Sequence, residues 1–385
     1  MKYYILFLVL SLYLSITLLE GLIILGILYT LWSLFKSKKL QGEKLSIPIF
    51  LYAFPTLLST LLYYTKRFDK AIEEGLFQFI YFLNLSKDEI YFLLRQIPKI
   101  FLFGFFLLLP FELHSYYKFG ETKPIWGGTF ETGFFYTLSG LTFFLLSFFQ
   151  ERKLKILFLL GAFASFFVVI FSHRRSMILA YVVLFLLILY VLYRSKIIRK
   201  AVFLGVLVLF LSIGVLGYAY LSKTDYRFKT FNEIILGYRE LNEQTLNVIS
   251  SERCTLFKEG LEVLKEDIKN KRYLPLLIGH GVRAKEYLTP KSPIVQPRYE
   301  SFFVFSEFIE RGVVGLIGIL LIYAIYFKEL FSFRIREKLD AYRLVIILPL
   351  GIHLIQTIFT YFWDAMLPVF LLLFKIYEVS KEHKS

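Results

Sequence analysis

ILFLLGAFASFFVVIF (156–171), SHRR (172–175) and SMILAYVVLFLLILYVLYR (176–194) follow one another without a gap. Each flank is close to the ~17–25 residues that a helix rising 1.5 Å per residue needs to cross a bilayer. Neither flank carries a charge before Arg194. Two apolar runs joined by a tight polar turn read as a transmembrane helical hairpin. Working outward, comparable blocks occur at about 4–18, 20–35, 47–64, 71–85, 98–117, 130–149, 201–221, 301–327, 342–360 and 362–379. Glu20 and Gly21 mark the expected break between the first two, since the whole run is too long for one untilted helix. The block at 71–85 is short and opens on Glu73 and Glu74.

Composition agrees with this pattern. Of 385 residues, 57% are hydrophobic, above the ~45–50% of a soluble domain, and the mean hydropathy is +0.61. Cys254 stands alone, which excludes an intramolecular disulfide framework and a Cys-rich metal site. The apolar start, running on to about Phe35 without a small-residue cleavage site, reads as a retained anchor rather than a signal peptide. The net charge of +15 would suggest nucleic acid in a soluble protein. In a membrane protein it first reports topology, because Lys and Arg collect in cytoplasmic loops, and no nucleic-acid partner is expected.

Four basic loops carry that signal: Lys36, Lys38, Lys39 and Lys44; Arg152, Lys153 and Lys155; Arg194, Lys196, Arg199 and Lys200; Lys328, Arg334, Arg336, Lys338 and Arg343. All four fall on one side only if the 71–85 block crosses. The fold class expected is therefore all-α, a polytopic membrane protein of about twelve transmembrane helices with both termini inside. It forms one membrane domain in three parts: helices in 1–221, a large outer loop at 222–300, and helices in 301–385. Residues 118–129 and 172–175 also fall on the outer face. Within the loop, Leu256, Phe257, Leu261, Leu264 and Ile268 recur at helical spacing, which predicts an amphipathic helix over 252–270. The loop is expected to fold back on the membrane mouth.

The outer-face cations oppose the positive-inside trend and ask for another explanation. Arg174 and Arg175 either snorkel to lipid phosphates or clamp a phosphate group with their forked donors. Gly279-His280-Gly281-Val282-Arg283 is either a close-approach loop or a plain turn. Arg298-Tyr299-Glu300-Ser301 stands before a helix, so Glu300 is either a base at the mouth or a helix cap. Gly312, Gly315 and Gly318 form a small-residue packing face. No DxD, metal-ligand spacing or P-loop occurs, so neither a metal mechanism nor an ATP-driven pump has sequence support.

Four landmarks stand in order: Gly127-Gly128-Thr129-Phe130-Glu131-Thr132-Gly133, Ser172-His173-Arg174-Arg175-Ser176, Arg253 at the head of the amphipathic helix leading to Gly279-His280-Gly281, and Tyr299-Glu300-Ser301 through Glu310-Arg311-Gly312-Val313-Val314-Gly315. From about Lys118 to the end the chain resembles the O-antigen ligase and O-antigen polymerase superfamily of bacterial envelope glycosyltransferases. The resemblance implies a multi-pass protein of the bacterial inner membrane, active on its periplasmic face. Its donor would be an undecaprenyl-pyrophosphate-linked glycan. Its acceptor would be another glycan for a polymerase, or lipid A-core for a ligase. Arg175-Ser176 matches the family's arginine motif, with Arg174 where a serine usually stands. Arg253 matches its loop arginine, and Gly279 to Gly281 its G-x-G. The His-Asn that precedes the last motif is replaced by Glu300-Ser301, which resembles polymerases more than ligases. The site then expected is Arg174, Arg175, Arg253, Arg283 and Arg298 on the pyrophosphate, with Glu300 first and His280 second as base, and with neither metal nor cofactor. A polysaccharide-lipid transporter or flippase remains the alternative of another class. It would show ionisable residues at mid-helix and broken helices; Glu112, His114, His353 and Asp364 are the candidates.

Overall fold

The computed structural model describes every residue except 38–42, 293, 295–297, 300–302 and 383–385, and among these the regular structure is helical throughout. The N-terminal part holds α1 (Lys2–Leu14), α2 (Ile16–Ser37), α3 (Ser46–Tyr63), α4 (Phe68–Leu76), α5 (Lys87–Phe119), α6 (Thr129–Ser147), α7 (Arg152–Phe171), α8 (Arg175–Arg194) and α9 (Lys200–Thr224). Five shorter helices follow: α10 (Tyr226–Ile235), α11 (Glu243–Ser250), α12 (Arg253–Lys269), α13 (Tyr273–Ile278) and α14 (Lys285–Leu288). The chain closes with α15 (Phe303–Ser332), α16 (Lys338–Gln356) and α17 (Leu367–Glu382). Among the described residues seven helices are long and apolar enough to cross a membrane: those at 16–36, 46–63, 87–119, 152–171, 175–194, 303–332 and 338–356. The chain is an all-helical membrane protein.

Burial orders the bundle. Along α16 89% of the spanning window is buried, against 17% for α7. α16 lies at the centre, packed on α5, α6, α8 and α17, while α7 turns most of its surface outward. A helix apolar all round suits either place, and its neighbours decide which. The largest helix, α5, starts on a capping box, in which the Ser86 hydroxyl accepts from Glu89 N–H and the Glu89 carboxylate accepts from Ser86 N–H. It ends at Gly120, whose φ of +71° is the left-handed conformation that glycine adopts without strain.

Three sequence expectations are corrected. The break between the first two blocks falls at Ser15, in extended backbone (φ −168°, ψ 133°), and not at Glu20-Gly21, which lie inside α2. The Ser15 hydroxyl accepts from Leu18 N–H, so the serine caps the second helix. Glycine is frequent inside membrane helices, and Gly21 stands on an exposed face with no neighbour against it. The 71–85 block is no single helix: α4 gives way to a 3₁₀ turn at Phe77–Phe82, wedged against α2, α3 and α17. In α12 the buried face holds Leu256, Gly260, Val263 and Asp267, whereas Ile268 is 61% exposed. Gly260 lets the side chains of Phe305 and Ile309 of α15 approach, and Asp267 is held inward by Arg272 and His280, as described below.

One end of the bundle collects basic loops. Glu329 accepts from Lys44 at 2.5 Å and from Lys381 at 2.7 Å. The Arg194 guanidinium donates to the Phe331 carbonyl, and Arg343 to Ser380. At the other end stand the turn at 172–175, the start of α6 and helices α10 to α14. There α12 and α13 pack on the head of α15, and α13 also on α3.

Candidate functional site

Helix α15 is broken nine residues after it starts. Gly312 takes φ 64°, ψ −170°, a conformation reserved for glycine. The break leaves carbonyls of the preceding turn without helical donors. His280 N–H donates to the Ile309 carbonyl at 2.8 Å, and Gly281 N–H to that of Glu310 at 3.0 Å. Gly279 and Gly281 have φ of +87° and +94°. A Cβ on Gly279 would strike the backbone of Glu310 and Arg311; one on Gly281 would press on Thr60. The G-H-G stretch is therefore a close-approach loop, and its function is to dock on a broken helix.

The break holds a buried ionic cluster. Arg311, fully buried, donates to the carboxylates of Glu74, Glu307 and Glu310 and, through Nε, to Thr56 at 3.0 Å. Its guanidinium lies 4.8 Å from the Tyr52 ring centre. Arg298 pairs with Glu74, lies 3.5 Å from Glu310, and stacks 4.4 Å over Tyr361. Glu307 also accepts from Phe362 N–H at 2.7 Å. Burial alone would lower the affinity of Arg298 for its proton, but Glu310 and Glu74 outweigh it and hold the guanidinium firmly charged. Three carboxylates and two guanidinium groups thus tie α4, the loop before α15, α15 itself and the segment after α16 into one unit.

Tyr361 leads from that cluster to the main cavity, which it lines. The cavity, of about 1400 Å³, opens at this end of the bundle between the start of α6, the α7–α8 turn, helices α10 to α12, and the segment linking α16 to α17. Four arginines face it: Arg174, Arg175, Arg227 and Arg253. His173 in the left-handed region (φ +55°) makes the α7–α8 turn tight enough to put Arg174 at the N-cap and Arg175 at the first position of α8. Arg174 Nε donates to Thr129 at 2.7 Å. Arg227 is held by Asp225 at 3.6 Å and donates to Ser251 at 2.9 Å. Ser251 and Glu252 are both left-handed (φ +57° and +66°), a corner after which Arg253 donates to the Ser250 carbonyl at 3.1 Å. Arg227 and Arg253 stand close enough to repel Arg175, which Asp225 offsets in part. Such a concentration of like charge favours an anion. The carboxylates on the wall are Glu121, Glu131 and Asp364. Glu131 is engaged as a cap, accepting from Gly128 N–H at 2.6 Å. Asp364 accepts from Met366 N–H at 2.8 Å. Burial, reinforced by Glu131 and opposed by that hydrogen bond, pushes its carboxyl up to about 6, while part of its surface still faces the cavity.

The structure brings Arg174, Arg175 and Arg253 of the expected site together, and Arg227 joins them. Three others stand elsewhere. Arg298 is behind the wall in the ionic cluster. Arg283, left-handed at φ +57°, gives its N–H to Glu310 at 2.9 Å. His280 is buried, with Nε2 2.6 Å from Asp267 and Nδ1 3.2 Å from the Tyr287 hydroxyl. Burial lowers the His280 pKa and Asp267 counters it; Arg272 pairs with the same aspartate at 2.9 Å. Glu300 lies outside the described residues. Arg227 was legible by the signal that marked Arg174, a cation in a segment expected on the outer face, but nothing local separates it from the other cations of the loop. Among the described residues no group of three His, Cys, Asp or Glu side chains is arranged to hold a metal.

No family model matches the chain. It is 53% identical over 377 residues to an uncharacterized protein of Aquifex aeolicus (strain VF5), an alignment that covers 98% of this chain and 96% of that protein. The chain belongs to the family of that protein.

Proposed function

We propose that the protein is a metal-independent membrane glycosyltransferase of the O-antigen polymerase type. It would take a glycan from an undecaprenyl-pyrophosphate carrier and pass it to a second carrier-linked glycan, with the ligase reaction onto lipid A-core as the nearest alternative. One observation carries the reading: four arginines from three separate segments converge on one cavity at the end of the bundle away from the basic loops. The acceptor hydroxyl oxygen attacks the anomeric carbon of the donor, the bond from that carbon to the phosphate oxygen breaks, and the pyrophosphate leaves with the electron pair. Arg174, Arg175, Arg227 and Arg253 stabilise its growing charge. Asp364, ionised above pH ~6, takes the acceptor proton.

The proposed setting follows from the same features. The seven long helices, together with α1, the α4–3₁₀ segment, α6, α9 and α17, make about twelve crossings. The basic loops then face the cytoplasm, and the cavity faces the periplasm from the inner membrane. Helices α10 to α12 line the mouth of the cavity. The broken α15 also suits a transporter. However, Val313–Ser332 is by itself about 20 residues, ~30 Å, a full span. The break therefore stands at the mouth rather than at mid-bilayer, which favours the enzyme.

Deleting the gene in its bacterial host and separating surface glycolipids on a gel tests the reading. A polymerase predicts collapse of the ladder to a single-repeat cap. Loss of ladder and cap together, with carrier-linked glycan on the outer face, means a ligase. Carrier-linked glycan held on the inner face means a flippase and overturns the proposal. A second expectation concerns pH. Because the raised carboxyl of Asp364 must be ionised to accept a proton, transfer rises as pH climbs through about 6 and levels off above it. In Asp364→Asn the rate falls on the order of 10²-fold and the rise disappears. A variant that keeps the wild-type pH profile rules out Asp364 as the base.

A further inference from the structure

We propose a second binding site, for an anionic glycerophospholipid, at the end of the bundle opposite the cavity. Arg95 and Lys99 of α5 and Lys338 of α16 surround a pocket of about 510 Å³, completed by Gln96, Leu339 and Tyr342. Lys338 is the first residue of α16, and Gln356, its last, lines the arginine cavity. At 1.5 Å per residue the 19-residue helix sets the two sites about 28 Å apart, close to the thickness of the hydrocarbon core. The pocket therefore stands at the headgroup level of the other leaflet.

Its lining carries no carboxylate. Lys99 donates to the neutral Gln96 at 3.1 Å, and the Lys338 ammonium lies 6.0 Å from the Tyr342 ring centre. Among the described residues none of the three cations is in an ion pair with a carboxylate. Below them the surface becomes apolar along one line. Arg95, Lys99, Phe103 and Phe106 recur at spacings of four, four and three, and so share a face of α5. Phe103 is 53% exposed and Phe106 59%. A cationic head above an aromatic, lipid-facing track is complementary to a phosphodiester headgroup and its acyl chain. A soluble phosphate would use only the upper half.

The test uses the full chain in detergent, with bound lipid read by native mass spectrometry and by thermal shift. Phosphatidylglycerol is expected to stay bound and to raise the melting temperature, whereas phosphatidylcholine and inorganic phosphate do neither. Removing a surface cation weakens such binding about fivefold, so Arg95→Gln/Lys99→Gln/Lys338→Gln weakens it on the order of 100-fold. The pair Arg334→Gln/Arg336→Gln, exposed in the adjoining turn, leaves it unchanged. Should the triple variant not fold, Lys338→Gln alone is read for its fivefold loss. Equal binding of phosphatidylcholine, an equal shift from inorganic phosphate, an unchanged affinity in the folded variant, or an equal loss in the control pair each overturns the site.

Discussion

Arg175→Ala is expected to reduce glycan transfer by on the order of 10²- to 10³-fold, the loss seen when one donor to a developing oxyanion is removed, while protein level and melting temperature stay unchanged. Arg175 sits at the first position of α8, exposed on the cavity wall, with its guanidinium 5.9 Å from the Phe228 ring centre and Arg227 and Arg253 repelling it. A residue held against like charge adds little to the stability of the empty protein. On the proposed function it would be stabilised when a pyrophosphate enters and its charge is answered. Arg175→Lys keeps the charge and loses the planar fork that grips two phosphate oxygens at once, so it recovers only part of the activity. Transfer from purified lipid-linked donor measures both variants. Full activity in both, at normal protein level, would remove the arginine clamp from the mechanism. Snorkelling to lipid phosphates would then be the role left to Arg175.

The opposite pattern, loss of the fold itself, is expected for Arg311→Leu. Arg311 is fully buried among Glu74, Glu307 and Glu310. Without it, three buried carboxylates are left with Arg298 as the buried cation beside them. Breaking a buried pair by removing one partner costs about 3–5 kcal/mol, against a total stability of about 5–15 kcal/mol. The variant is predicted to be depleted from the membrane fraction and to aggregate on extraction. Taking away a surplus charge as well, in Arg311→Leu/Glu307→Gln, restores part of the yield, because the damage lies in uncompensated charge more than in lost packing. Size-exclusion profiles and melting curves in detergent decide this. A monodisperse Arg311→Leu with a melting temperature within about 1 °C of wild type, roughly the shift that ~1 kcal/mol produces in a chain of this size, would show the cluster to be dispensable. The two variants thus separate an arginine held for a ligand from one held for the fold, although Tyr361 connects their surroundings.

These two arginines also mark the boundary of what was legible in the chain. Arg175 announces itself: it stands in a four-residue turn between apolar runs, on the face away from the basic loops. Arg311 reads locally as one more charge at a helix start, and Glu74 as the flaw in a short apolar block. Their partnership spans 237 positions, and no local pattern reports it. His280 shows the converse error. A histidine between glycines suggests chemistry, but Gly279 serves close approach to the broken turn of α15 and Gly281 close approach to Thr60, and the imidazole is taken by Asp267.

By itself the sequence determined that this is a helical membrane protein, where most of its spans lie, and that arginines stand on the face away from the basic loops. All of these follow from spacing and hydropathy along the chain, because in a bilayer each helix satisfies its own backbone. Tertiary structure alone decided which charges meet. The break of α15 at Gly312, the docking of 279–281 on it, the ionic cluster around Arg311 and the entry of Arg227 and Asp364 into the cavity all depend on contacts between residues distant in the chain. Their energies come from burial and Coulomb attraction at short range, and these exist only once the helices have packed.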